Sequence, residues 1–209
     1  MTSKGTIVLS ALLGACLLAS CGKPASSPEA APEPAVAAPA AEAPAPVAPA
    51  GVTKVAVTST HGAWPKEDVP DWSALKAVAF KDSSVGVASV VIAITNYDFA
   101  PATRAEFTAR TSPEKGKARV ELWLVRQKQV APGETLDFVA GTYDPTKAQG
   151  QAEMTGSAKI AVAGGTALQF SDPTGTIEVT SVTADSISGT FDLKDKWTQL
   201  SGEFSAPLR

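Results

Sequence analysis

The sequence predicts a mainly β protein: a single antiparallel β-sandwich carried behind a leader and a proline-rich linker. Three observations lead there. Apolar and polar residues alternate with period two in short runs after residue 51, the pattern of a half-buried antiparallel strand. Turn-forming residues separate those runs at close intervals. Amphipathic helical spacing is scarce. Periodicity does not separate a sandwich from a barrel; the sandwich is the preferred reading, with a β-barrel as the alternative.

Residues 52–209 make 158 residues, enough for one domain with a substantial core. Within them, "KVAVTST" (54–60) opens as a strand. Asp71 in "PDWSALKAVAF" is placed to cap a helix, but the run is short, so at most one or two helical turns are expected between residues 66 and 77. "KAVAFK" (76–81), Asp82-Ser83-Ser84 and "VGVASVVIAIT" (85–95) read as strand, turn and strand. "RAEFTAR" (104–110) and "RVELWLVRQ" (119–127) read as strands flanking a turn at Ser112-Pro113-Glu114-Lys115-Gly116. "TLDFVAGTY" (135–143), "AEMTGSAKIAVA" (152–163), "TALQF" (166–170) and "GTIEVTSVT" (175–183) continue the series.

The clearest hairpin comes last. Ile187, Gly189, Phe191 and Leu193 share one strand face, as do Leu200, Gly202, Phe204 and Ala206, with a turn expected over Lys194 to Gln199. The matching Ser-Gly-x-Phe pieces at 188–191 and 201–204 read as neighbouring strands with one packing need, a small residue beside a large one.

Ahead of this body lies an address. Lys4 is followed by the apolar run "TIVLSALLGACLL" (6–18) and small residues Ala19 and Ser20, the layout of a secretory signal peptide. The run is shorter than the ~20 apolar residues of a membrane-spanning helix. Leu18-Ala19-Ser20-Cys21 resembles the bacterial lipobox. The resemblance covers residues 1–20 and the cysteine that follows. It implies cleavage before Cys21, a lipid on the Cys21 thiol, acylation of the new amino terminus, and the lipid bilayer as a partner through Cys21. Each buried methylene contributes about 0.8 kcal/mol, and one chain alone binds only reversibly, so several chains on one residue make a durable anchor. Gly22 stands where an Asp resembles an inner-membrane retention signal, so the resemblance implies the outer membrane, facing the periplasm.

Residues 21–51 read as the lipidated cysteine and a tether. Positions 23–50 are nearly all Pro, Ala, Glu and Ser, with eight prolines, each lacking an amide donor and restricting its predecessor. Such a segment builds no core; at ~3.1 Å per residue it reaches roughly 90 Å when extended.

Composition excludes several classes. Cys16 and Cys21 are the two cysteines of the chain; one leaves with the leader and the other takes lipid, so thiol and disulfide chemistry are not expected. Without Lys4, 17 basic side chains stand against 21 acidic ones, near −4, and no Lys/Arg block occurs, so nucleic acid is not an expected partner. His61, the one histidine, lacks a G-x-S-x-G partner motif and reads as a surface or capping residue. Glu67, Asp68 and Asp71 are split by Pro65 and Pro70 and lack a calcium-loop pattern. Asn96-Tyr97-Asp98 and Tyr143-Asp144-Pro145 read as turns. Glu106, Glu121, Glu134, Asp137, Glu153 and Glu178 would have to converge from distant strands to work as a hydrolytic pair. Gly164-Gly165 lacks the lysine and spacing of a phosphate loop.

No catalytic residue, cofactor or metal site is therefore expected. Trp64 and Trp72 flank the acidic loop and are expected to pack onto the sheet, although that loop is the first place to look for binding. Trp123 stands between Leu122 and Leu124, so one of those two faces belongs to the core. The expected function is a non-enzymatic envelope lipoprotein whose β-domain binds or organises a partner. The alternatives are a ligand or lipid carrier with a pocket inside a barrel, which a solid core removes, and a carboxylate-dependent hydrolase.

Overall fold

A computed structural model describes residues 52–109, 112–164 and 167–209. The lipobox cysteine Cys21 and the proline-rich tether lie outside the described residues. Ten strands and one short helix follow in order: β1 (Lys54–Ser59), β2 (Lys76–Ser84), β3 (Val87–Thr95), α1 (Arg104–Thr108), β4 (Ala118–Gln127), β5 (Gly141–Tyr143), β6 (Met154–Val162), β7 (Ala167–Gln169), β8 (Thr174–Val182), β9 (Ser186–Lys194) and β10 (Thr198–Pro207). They form two five-stranded antiparallel sheets, ordered β1-β10-β9-β8-β5 and β2-β3-β4-β6-β7. The sheets close no barrel; the sandwich is the fold.

Alternation supplies the core. Ile92, Leu122 and Ile160 from the second sheet and Ile177, Phe191 and Leu200 from the first belong to one buried cluster. Apolar contact of this kind contributes about 25 cal/mol per Å² removed from water. Trp64 and Trp72 pack, partly buried, against the same cluster, as expected of them.

The β9–β10 hairpin turns the Ser-Gly-x-Phe repeat into a reciprocal clasp. Its register sets Gly202 opposite Phe191 and Phe204 opposite Gly189. A Cβ on Gly202 would come within 2.7 Å of the Phe191 ring and 2.1 Å of the Lys54 carbonyl oxygen; one on Gly189 would come within 2.8 Å of the Phe204 ring. Each ring thus occupies the space its opposite glycine leaves open, and the two rings stack at 6.4 Å. β10 begins at Thr198, so the turn is Asp195–Trp197, shorter than the sequence predicted. Asp195 Oδ1 closes it, accepting from the Trp197 and Thr198 N–H groups at 2.8 and 2.7 Å.

Four local expectations are corrected. No helix forms between residues 66 and 77: Asp71 instead accepts from the Ser73 N–H and Oγ, both at 2.9 Å, closing a turn. The first hairpin turns at Val85-Gly86, not at 82–84, because Gly86 takes the left-handed φ of +71°. The expected strand at 104–110 contains α1, started by Thr103 as its N-cap, with Glu106 reaching back to the residue before it. Thr103 Oγ1 accepts from the Glu106 N–H (3.2 Å), and Glu106 Oε2 accepts from the Ala102 N–H (2.7 Å). The run 135–143 is a strand only at 141–143: Thr135 bridges to Val85, whereas Gly141–Tyr143 pair with β8. The segment crosses between sheets, and its buried Leu136, Phe138 and Tyr143 face the core without a continuous ladder.

The sheets are also joined at two corners. Asp144 bridges to Thr155 on β6, and Leu208 bridges to Ala79 on β2. At the first corner Tyr143 is fully buried, stacks on Phe138 at 5.0 Å and donates its hydroxyl to the Val139 carbonyl at 2.8 Å.

Two measurements test these assignments. Gly202→Ala forces a methyl into the Phe191 ring and the Lys54 carbonyl, and is expected to cost about 3 kcal/mol, read as a lower urea midpoint at unchanged slope. Burial raises the Tyr143 phenol above its ordinary 10.0. The unfolded chain therefore ionises first: its contribution to stability is full below pH 10.0 and is lost as pH rises towards the folded value. Tyr143→Phe is expected to flatten the alkaline fall in urea midpoint relative to the native protein.

Candidate functional site

The outer face of the second sheet differs from that of the first. β9 presents Thr190, Asp192 and Lys194 outward, all exposed. On the second sheet the outward row of β4 is Arg119, Glu121, Trp123 and Val125, and the first two are buried. Leu122 and Leu124 supply the core side of this strand, so Trp123 stands on the opposite side.

Residues 96–109 and 112–117 flank and cover half of this face. Phe107 of α1 lies against Phe80 (5.8 Å), Phe99 (6.0 Å) and Trp123 (5.9 Å). With Val78, Val91 and Ala93 these rings form a second small core outside the sandwich. Beside it lies an ion cluster. Arg119 Nε donates to Glu121 Oε1 at 2.8 Å and its Nη1 donates to the Tyr97 hydroxyl at 3.0 Å. Lys159 Nζ lies 3.1 Å from Glu121 Oε2, and Trp123 Nε1 donates to the same oxygen at 3.2 Å. The guanidinium of Arg119 also stacks on Phe99 at 4.9 Å. Buried charge is tolerated only when its remaining hydrogen-bonding capacity is met, and no buried side-chain polar atom among the described residues lacks a partner.

The other half of the face is open. The β4–β6 register places Trp123 beside Ser157 and Val125 beside Thr155. Trp123 and Ser157 border two hollows. One, of about 440 Å³, is walled by the 145–149 loop and Asp172-Pro173; the other, of about 290 Å³, is bounded by Lys159, Gln169 and Phe170. The Glu121 hydrogen bond fixes the indole, and the Lys159 ammonium lies 5.3 Å from its ring centre. Together they make a groove with an aromatic divider, hydroxyl and amide groups, and an ammonium. Among the described residues, Asp172 is the one carboxylate lining the two hollows. Such a surface suits binding by stacking and hydrogen bonding.

The residues singled out by the sequence are dispersed. His61 is a turn residue: its Nδ1 accepts from the Ala63 N–H at 3.1 Å and its carbonyl from the Trp64 N–H at 2.9 Å. Glu67, Asp68 and Asp71 are exposed, and the two Ser73 hydrogen bonds hold the Asp71 carboxyl below its usual range. Asp98 pairs with Lys76, whose hydrogen bond and charge lower its carboxyl likewise. Asp144 accepts from the Thr146 hydroxyl and N–H, both at 2.7 Å, and is lowered by them. The six scattered carboxylates do not share a site. Glu106 caps α1, Glu121 holds the ion cluster, and Glu134 accepts from the Ala131 N–H. Asp137 pairs with Lys81, Glu153 with Arg126, and Glu178 is exposed on the first sheet. Among the described residues no three His, Cys, Asp or Glu side chains gather into a metal-ligand cluster.

Sequence reasoning missed the pairing of Arg119 and Glu121 with Lys159. The signal was present as Arg119, Glu121 and Trp123 on alternate positions of one strand, but alternation left open which face of that strand is core and carries no record of a charge partner on another strand. No family model, curated protein or solved structure matches the chain.

Glu121→Ala removes the carboxylate shared by Arg119, Lys159 and Trp123. It is expected to cost about 3–5 kcal/mol, with altered Trp123 fluorescence in whatever fraction remains folded. A loss below about 1 kcal/mol, the range of an exposed pair, would mean that the cluster is solvated and does not seat the cap.

Proposed function

We propose that this chain is a lipid-anchored envelope protein whose β-domain is a non-catalytic binding module, engaging an extended partner along the groove beside Trp123. The anchor rests on Leu18-Ala19-Ser20-Cys21, and the outer membrane on Gly22. The single observation supporting the binding role is the groove itself, with its indole held in place by Glu121. Its two hollows lie in the hundreds of Å³ that bound ligands occupy.

The packed interior counts against a carrier. Ile92, Ile94, Leu122, Ile160 and Ile177 are completely buried between the sheets, where an internal ligand would sit. One lining carboxylate counts against a paired-carboxylate hydrolase.

Two experiments test the reading. Cys21→Ala is expected to release chain to the soluble fraction or to leave an unprocessed form that keeps the apolar run 6–18; a chain that stays fully membrane-bound with no unprocessed form sinks the anchor. A photo-crosslinking residue at exposed Ser157 is expected to give a discrete adduct in intact cells, and one at exposed Thr176, on the first sheet, none. Equal labelling from both positions sinks the groove.

A further inference from the structure

An open sheet edge is a row of unpaired N–H and C=O groups that templates another strand, and folded proteins blunt such edges by shortness, bulges or covering chain. Two open sheets have four edges, and three of these are blunted. β5 and β7 have three residues each. Beyond the end of β5, β8 carries an irregularity between Val179 and Ser181. β2 is overlaid: the Arg209 N–H donates to the Ala79 carbonyl and the Lys81 N–H to the Arg209 carbonyl, both at 3.0 Å, and the Leu136 N–H reaches the Ser84 carbonyl at 3.2 Å.

β1 is different. Its six residues pair with β10 throughout, and no described residue pairs with its free side. The strand has no proline, and its register to β10 is regular. Its one charge, Lys54, is turned to Glu203 of the neighbouring strand. Val55 and Val57 reach the core yet stay half-buried. Exposed apolar side chains stand at both ends: Val52 (66%) precedes the strand, and Trp197 (46%) accepts, through its carbonyl, from the Thr60 N–H just beyond it.

We propose that β1 is a self-association edge, pairing antiparallel with β1 of a second copy about a two-fold axis at Ala56, so that their sheets become one ten-stranded sheet. Keeping each face continuous requires residues of like orientation to meet, as registry about Ala56 provides. Val55 then lies opposite Val57 of the partner subunit on the core side, and Lys54 opposite Thr58 of the partner subunit on the outer side. No like charges meet, and the half-buried valines cover one another. The preceding residues 23–50 include eight prolines, each of which withholds one amide donor from a ladder. A single pairing over the five residues 54–58 is small beside the ~1,200 Å² of a stable soluble complex. Association therefore depends on copies being concentrated on one surface, and in this respect it rests on the anchor proposed above.

The chain has no cysteine after Cys21, which makes engineered thiols a clean probe. Ala56→Cys and Thr58→Cys are compared in the full-length chain, in intact cells treated with copper phenanthroline and read on non-reducing gels, with Thr176→Cys as a surface control. Across the axis the Cα atoms of position 56 in the two copies would lie about 5 Å apart, within disulfide reach. At position 58 the offset is four residues, roughly 13 Å. The expected result is a strong dimer band from Ala56→Cys, little from the other two, and loss of that band in the soluble fraction that Cys21→Ala releases from the membrane. Equal bands at all three positions would reveal collision alone and overturn the edge. Absence of the Ala56→Cys dimer in a membrane-bound chain overturns it while leaving the anchor intact. A mixed disulfide with a different protein overturns the second copy as occupant. A dimer from the unaltered chain through Cys21 would instead refute the lipid on that thiol.

Discussion

Burial of Arg119 and Glu121 on the outer side of β4 sets a condition that the neighbouring chain has to meet. A central strand flanked by β3 and β6 already commits Val120, Leu122 and Leu124 to the core. Placing charges under cover on its other side is tolerable only if each finds partners. Tyr97, Lys159 and Trp123 provide them. The first comes from the segment that caps the face and the second from the adjacent strand. The third is the indole that divides the groove. Cap, cluster and groove are thus one construction, because the buried carboxylate that Arg119 and Lys159 satisfy also holds the indole that borders the groove.

The two sheets consequently have different duties. The first turns a skin of Thr, Ser and charged residues outward, and its internal order comes from the Gly–Phe clasp of β9 and β10. The second sheet is buried twice over, once against the sandwich core and once beneath Phe99 and Phe107. The proposed binding falls on the second sheet because that sheet combines an aromatic ring held by Glu121 with a concave border. The 145–149 loop that walls the larger hollow is held at its base by the Asp144–Thr146 turn and by the bridge to Thr155. That gives the wall a stiff footing on the sheet it encloses.

Most of the strands were legible because period-two alternation is a direct projection of burial. β4, β6, β8 and the β9–β10 hairpin fall where the apolar residues recur. The failures have physical causes. In 104–110 the alternation was short, and the Thr103-x-x-Glu106 cap outweighed it once Phe107 found an aromatic bed. In 135–143 the alternating residues do reach the core, but the backbone changes sheets, and periodicity carries no record of which strand is the neighbour. At 82–86 the conformational freedom of Gly86 placed the turn later than the Asp-Ser-Ser composition suggested. The site was the least legible part. Its charges obey the same alternation as solvated ones, and only the fold brings the cap down upon them.

The chain enters the described domain through β1, an edge strand held by one six-residue ladder and by the Thr53–Ser205 hydrogen bonds. β10, which receives that ladder, continues into the bridge between Leu208 and β2. A tension applied between an anchored amino terminus and something gripped on the second sheet would pass first through β1, then along β10 and across that bridge. Under such a load that ladder would be the first part of the fold to give. Its rupture would release the sandwich on a longer leash while leaving the groove and its capping segment assembled.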